Sequence, residues 1–171
     1  PGQNGTAVRD ALIERARAGV QVRLLIDAIG SVKVSKRFLQ PLRASGAEVV
    51  WFHPTQLLRP FKRPWMNLRT HRKLVIVDGQ VAFTGGINIT DEQDERLRAD
   101  AYRDLHLRVE GPVVRSLQLV FVEDWLYASN QGRQVFQPER LWPPYPPLPA
   151  QQTIHTQVLL SGPDSGRETI H

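Results

Sequence analysis

The run KLVIVDGQVAFT, Lys73–Thr84, constrains the fold more than any other stretch of this chain. Strand-prone residues stand on both sides of Asp78-Gly79, one of the strongest short hairpin signals. The turn reads either as a two-residue Asp78-Gly79 loop or as Asp78-Gly79-Gln80 with a bulge. Leu74–Val77 is apolar on both faces, which predicts a central, doubly covered strand.

The segments upstream repeat a different unit. Thr6–Ala18 carries Ala7, Val8, Ala11, Leu12 and Ala16 on a helical stripe, with Gly19 placed to stop it. Val22–Ile26 then reads as a strand. Ser35 is positioned to cap a helix through Leu42, which Pro41 should delay or bend and Gly46 should end. Ala47–Phe52 is the next strand. Two helix–Gly–strand units in series predict an α/β fold with a mixed, mostly parallel sheet flanked by helices. Downstream, Tyr102–Val109 alternates as a strand, and Gly111-Pro112 opens a helix with Val114, Leu117, Phe121 and Trp125 on its apolar face. The proline-rich stretch 131–152, densest over Pro138–Pro149, is expected to run extended as a linker. Gln157–Leu160 reads as the start of a further strand.

Within 171 residues, 41% hydrophobic and 23% charged, this pattern suits one globular domain with a true core. A net charge of +5 and a pI of about 10.1 favour anionic partners: nucleic acid, anionic headgroups or phosphate-bearing substrates. With no cysteine, disulfides, thiolate metal sites and Cys nucleophiles are excluded. No apolar run approaches the roughly 20 residues of a spanning helix.

His71 and Lys73 stand two apart at the mouth of the first hairpin strand. Residues i and i+2 share a face about 6.5–7 Å apart, with Val75 and Val77 continuing it inward. Asn88 follows the second strand after Gly85-Gly86, so His71, Lys73 and Asn88 are expected to converge. A neutral imidazole is a nucleophile toward phosphorus, and ammonium and amide groups donate to phosphoryl oxygens. No carboxylate cluster points to a divalent metal, so the set reads as metal-free and cofactor-free phosphoryl transfer. The same spacing also suits an ordinary solvated strand end.

The spacing His71-x-Lys73-x4-Asp78-x6-Gly85-Gly86-x-Asn88 resembles the signature of the phospholipase D superfamily. The Gly-Gly form, with HRKLVIVDG, FTGGINI and YRDLHLRVEGPVVRSLQLVFVEDW, is similar to the N-terminal half of bacterial cardiolipin synthases. The phospholipase D superfamily commonly has Ser where Gly86 stands, so one hydroxyl donor is missing here. The resemblance implies a phospholipase D-like catalytic half over 1–130, with its motif in 70–90, and the start of a second half over 153–171. It implies catalytic His71, Lys73 and Asp78, with His71 the nucleophile and Asp78 a structural carboxylate beside the turn. Lys73, Asn88 and Gly86 would bind the substrate phosphate, and Asp104 is a candidate to orient a catalytic His. His53 and His106 read as structural or solvated.

Before the motif, Arg59, Lys62 and Arg63 interleave with Phe61 and Trp65. These five are candidates for a lipid-surface rim, with a solvated loop packed by its aromatics as the plain alternative. A nucleic-acid groove would carry similar charge and ranks below lipid. The expected function is therefore a phosphatidyltransferase of the cardiolipin synthase type, working through a phosphohistidine on a phospholipid such as phosphatidylglycerol. It would sit peripherally at an anionic membrane surface. A hydrolase using water, either phospholipase D or nuclease, and a non-catalytic anionic-lipid-binding module are the alternatives. One His cannot serve both the attacking and the leaving side of an in-line displacement, and no second His-x-Lys occurs. The chain is therefore expected to be a truncated piece, inactive alone, whose second half lies further along the same protein or in a second copy.

Overall fold

A computed structural model describes residues 2–52, 71–145, 147 and 154–159. His53, Arg59, Phe61, Lys62, Arg63 and Trp65 lie outside the described residues. The chain divides into two compact units, one formed by 1–57 and 86–105, the other by 58–85 and 106–171.

In the first unit the order is α1 (Gln3–Arg17), β1 (Arg23–Asp27), α2 (Lys36–Ala44) and β2 (Glu48–Phe52). β1 and β2 pair in parallel, from Arg23 opposite Glu48 to Asp27 opposite Phe52. The expected α2 cap forms, with Ser35 Oγ accepting from Phe38 N at 3.1 Å. The helix runs through Pro41, and Gly46 closes the turn at φ +95°. Leu39 and Leu42 reach the core with Ile13, Val22, Ala47 and Val49. The α1 stripe differs from the sequence expectation. Ile13 is buried, with Leu12 and Ala16 packed beside it, whereas Ala7, Val8 and Ala11 are exposed. The helix is rotated toward its bulkiest aliphatic pair, which buries more apolar area than alanines would. α1 has no cap from its own Gly2. Asp91, from a 3-10 turn at Asp91–Gln93, accepts from Gln3 N and Asn4 N, each at 2.8 Å. A carboxylate there also opposes the positive end of the helix dipole.

The second unit holds β3 (Lys73–Val77), β4 (Val81–Gly85), β5 (His106–Glu110), α3 (Val113–Ser129) and α4 (Pro138–Leu141). The strands form an antiparallel sheet in the order β3-β4-β5. Two expectations are corrected here. Among the described residues the sheets are one parallel pair and one antiparallel trio, so "mostly parallel" does not hold. The central strand of the trio is β4, and among the described residues β3 pairs with β4 alone. A short apolar strand advertises burial but not which strands lie beside it. Val75 and Val77 accordingly remain about half exposed. Asp78 (φ +51°) and Gly79 (φ +64°) both take the positive φ of a primed turn, and three residues separate the paired Val77 and Val81.

Ala82, fully buried, marks the covered face of this sheet, and α3 lies against all three strands. Trp125 of α3 is also fully buried, and its indole N–H donates to Gln131 Oε1 at 3.1 Å. Tyr102–Leu105 does not join β5, and Gln157–Leu159 forms no strand. The proline-rich segment is not extended from its start. Pro138 begins the helical turn α4, in the first-turn position that tolerates its missing N–H. Tyr145 then donates its hydroxyl to Gly79 O at 2.5 Å. A Cβ on Gly79 would meet Pro143 Cδ at 2.9 Å, so the turn glycine is fixed by packing as well as by φ.

Candidate functional site

His71 is exposed, two residues before the first ladder pair of β3. Lys73 begins the strand, and its Nζ donates to the His71 backbone carbonyl at 2.7 Å. The Lys73 ammonium therefore lies against the His71 backbone at the start of β3. Arg72, between them, points the other way by strand alternation. Its Nη1 lies between both oxygens of Asp124 on α3, at 2.8 and 2.7 Å. Asp124 is largely buried, with 17% of its side chain exposed. The bond pins the strand start to the helix, and it was not anticipated. Alternation could have aimed Arg72 away from His71, but nothing local names a partner 52 residues later.

Asp78 stands at the opposite end of β3. At about 3.4 Å per residue, five residues separate it from Lys73 by roughly 17 Å. It does not join the His71–Lys73 end, and its left-handed φ gives it a turn role instead. Gly86 is engaged within the first unit. Its N–H donates to Leu105 O at 2.8 Å. A Cβ there would fall on the Asp104 carboxylate, so glycine lets that carboxylate sit directly over the backbone. Asp104 in turn accepts from Leu105 N at 2.7 Å.

Asn88 belongs to the first unit, where its backbone is held at both ends. Its N–H donates to Gln93 Oε1 at 2.7 Å, and its carbonyl accepts from Thr90 N at 3.0 Å. Gln93 was missed in the sequence, where only its place shortly after Asn88 hinted at it. The loop is secured further by Asn4 Nδ2, which donates to Thr90 O at 3.2 Å and to Asp94 Oδ2 at 3.0 Å. Arg96, by its side chain, and then Asn4 hold the Asp94 carboxyl well below the usual carboxylate range.

His106, set aside in the sequence, begins β5. Among the described residues its buried Nδ1 has no hydrogen-bond partner. An unpaired buried polar atom costs roughly 1–3 kcal/mol. Among the described residues no group of three His, Asp or Glu side chains is arranged to hold a metal ion.

An imidazole and an ammonium at one strand end, on a mixed α/β scaffold, are suited to phosphoryl chemistry: a nucleophile beside an anion clamp. The sequence matches the family described as "Cardiolipin synthase, PLD-like domain" over residues 4–125, and the chain belongs to that family. Cardiolipin synthase 1 of Bacillus anthracis is 41% identical over 174 residues, covering 97% of this chain and 33% of that protein. The cardiolipin synthases of Geobacillus kaustophilus (40% over 167 residues) and Alkalihalophilus pseudofirmus (41% over 165 residues) are similar in the same way. The chain spans about a third of the length of these curated relatives. No solved structure matches it significantly.

Proposed function

We propose that this chain is the first catalytic half of a phosphatidyltransferase of the cardiolipin synthase type. The observation that carries the reading is the pairing of His71 and Lys73 at one strand end, with Lys73 Nζ 2.7 Å from the His71 carbonyl. The His71 imidazole attacks the phosphorus of a phospholipid phosphodiester. A P–N bond forms, the P–O bond to the headgroup alcohol breaks, and that oxygen takes a proton from an acid on the far side. The acid comes from a second half, because the two sides of an in-line displacement cannot share one imidazole. An acceptor hydroxyl of a second phospholipid, such as phosphatidylglycerol, then attacks the phosphohistidine. Its proton passes to the same group, now a base, and His71 is restored. Lys73, and Asn88 on its doubly held loop, are the donors to the phosphoryl oxygens. Asp104 is the proposed orienting carboxylate.

The exposure of His71 favours a second outcome on the same intermediate, in which water replaces the acceptor and the product is phosphatidic acid. No helix among the described residues is long and apolar enough to cross a membrane. Arg59, Phe61, Lys62, Arg63 and Trp65 are the proposed contacts to an anionic membrane surface. The test uses the full-length protein and a donor lipid labelled at phosphorus. Acid quenching should trap an acid-labile phospho-enzyme, and a phosphatidylglycerol acceptor should convert it to diphosphatidylglycerol. Normal adduct levels in His71→Ala would remove the proposed nucleophile. Adduct that yields only phosphatidic acid would replace transfer by hydrolysis.

A further inference from the structure

The ladder register sets three residues in one row across the second unit's sheet. Lys73 lies opposite Gly85, and Gly85 lies opposite His106. Residues directly opposite in antiparallel strands point to the same face. Lys73 and His106 therefore share a face, with a residue lacking any side chain between them. Adjacent strands are about 4.8 Å apart, so the two backbones stand roughly 10 Å apart, with a notch in the row of side chains at Gly85. Its floor is the Gly85 backbone. One wall ends in an ammonium and the other in an imidazole. Lys73 also reaches the carbonyl of His71, which brings the notch to the proposed nucleophile.

His106 has no evident structural task. Among the described residues its Nδ1 is buried without a partner, a state that an apolar ring in its place would avoid. With Nδ1 turned inward, an imidazole on the same row as a cation offers a ligand its Nε2 edge, and suits one that accepts a hydrogen bond there. The floor has no side chain to exclude a tetrahedral group, and the walls offer donors. The fitting chemistry is a phosphate or phosphodiester oxyanion.

We propose that His106 is a further phosphate-contacting residue: the substrate phosphodiester seats over Gly85, with one anionic oxygen between Lys73 Nζ and the His106 imidazole. The proposal rests on the phosphoryl-transfer reading of His71 and adds a contact that the His-x-Lys motif does not contain. His106 donates a hydrogen bond and forms no covalent bond to phosphorus.

The experiment measures inorganic orthophosphate binding to the full-length protein by calorimetry, beside lipid turnover. His106→Phe keeps a ring of similar size without nitrogen, and His106→Gln keeps a donor. The phenylalanine variant should bind orthophosphate about tenfold or more weakly, the glutamine variant within about threefold of wild type, with both melting close to wild type. Turnover should follow the same order, with the loss for phenylalanine appearing in KM for the donor lipid as well as in kcat. As a measurement independent of any variant, orthophosphate should shift the ring-nitrogen resonances of His106 in the wild-type protein. Unchanged orthophosphate affinity in His106→Phe, or no resonance shift at saturation, overturns the proposal. If wild type binds orthophosphate through His106 but never forms a phospho-enzyme from lipid, the notch stands and the transferase reading falls. If it turns over lipid with no dependence on residue 106, the reverse holds.

Discussion

The two units bury their apolar residues differently. In the first, two parallel strands and two helices close a cluster of Ile13, Val22, Leu39, Leu42, Ala47 and Val49, with Leu42 fully buried. In the second, β3 leaves Val75 and Val77 about half exposed, while the row of Lys73 and His106 stands on the same face. A closed core fixes a scaffold. A sheet face that is not closed is where side chains can meet a ligand. The contrast teaches that apolar content alone does not separate the two uses, because β1 and β3 read alike in sequence.

The largest expected effect tests which face is chemical. In the full-length protein His71→Ala should lower turnover by about 10⁴-fold or more while leaving thermal melting nearly unchanged, as loss of a nucleophile does in other enzymes. Comparable loss from Val75→Ala would break the distinction. The next effect is on stability. Leu42→Ala should cost about 2–5 kcal/mol in denaturant unfolding, whereas the half-exposed Val75→Ala should stay within about 1 kcal/mol. Equal costs would mean that the β3 face is as tightly packed as the first unit's core.

A smaller effect sharpens the comparison at the strand start. Asp124→Asn leaves Arg72 without its charge partner and should lower kcat several-fold, with a modest drop in melting temperature. Asp124→Glu, which restores the charge at a different reach, should recover much of the melting temperature but less of kcat. Full recovery of both would reduce the pair to ordinary stabilisation.

The smallest effect is a pH response in the first unit. The Asp94 carboxyl is held low by Arg96 and Asn4, so its folded pKa lies below the unfolded value near 3.9. Its contribution is present above about pH 4 and fades as pH falls toward the folded pKa. Amide protection factors at the start of α1, relative to intrinsic exchange at each pH, should therefore fall below about pH 4. In Asp94→Asn that acid step should shrink, and an identical pH profile would dismiss the link.

Much of this was open to reading in the chain. The Asp78-Gly79 hairpin, the Ser35 cap of α2, the Gly46 stop and the pairing of His71 with Lys73 all depend on residues a few positions apart. The rest depended on distant partners. Nothing near Arg72 indicates Asp124, and nothing near Asn4 indicates that Asp91 will cap its helix. His106 looked ordinary because its significance lies in a register with Gly85, across a 20-residue excursion that periodicity does not span.

The sequence by itself determined the family, the turn chemistry and the close spacing of His71 and Lys73 at the start of β3. Those follow from local φ/ψ preference and from the two-residue period of β structure. Only the tertiary structure decided that β4 is central, that Asp78 lies away from the candidate site, that the Gly86 N–H is already engaged, and that His106 shares a row with Lys73. A strand's own residues set which face each side chain takes. Which strand lies beside it, and in what register, is settled by long-range packing that no short window of residues encodes.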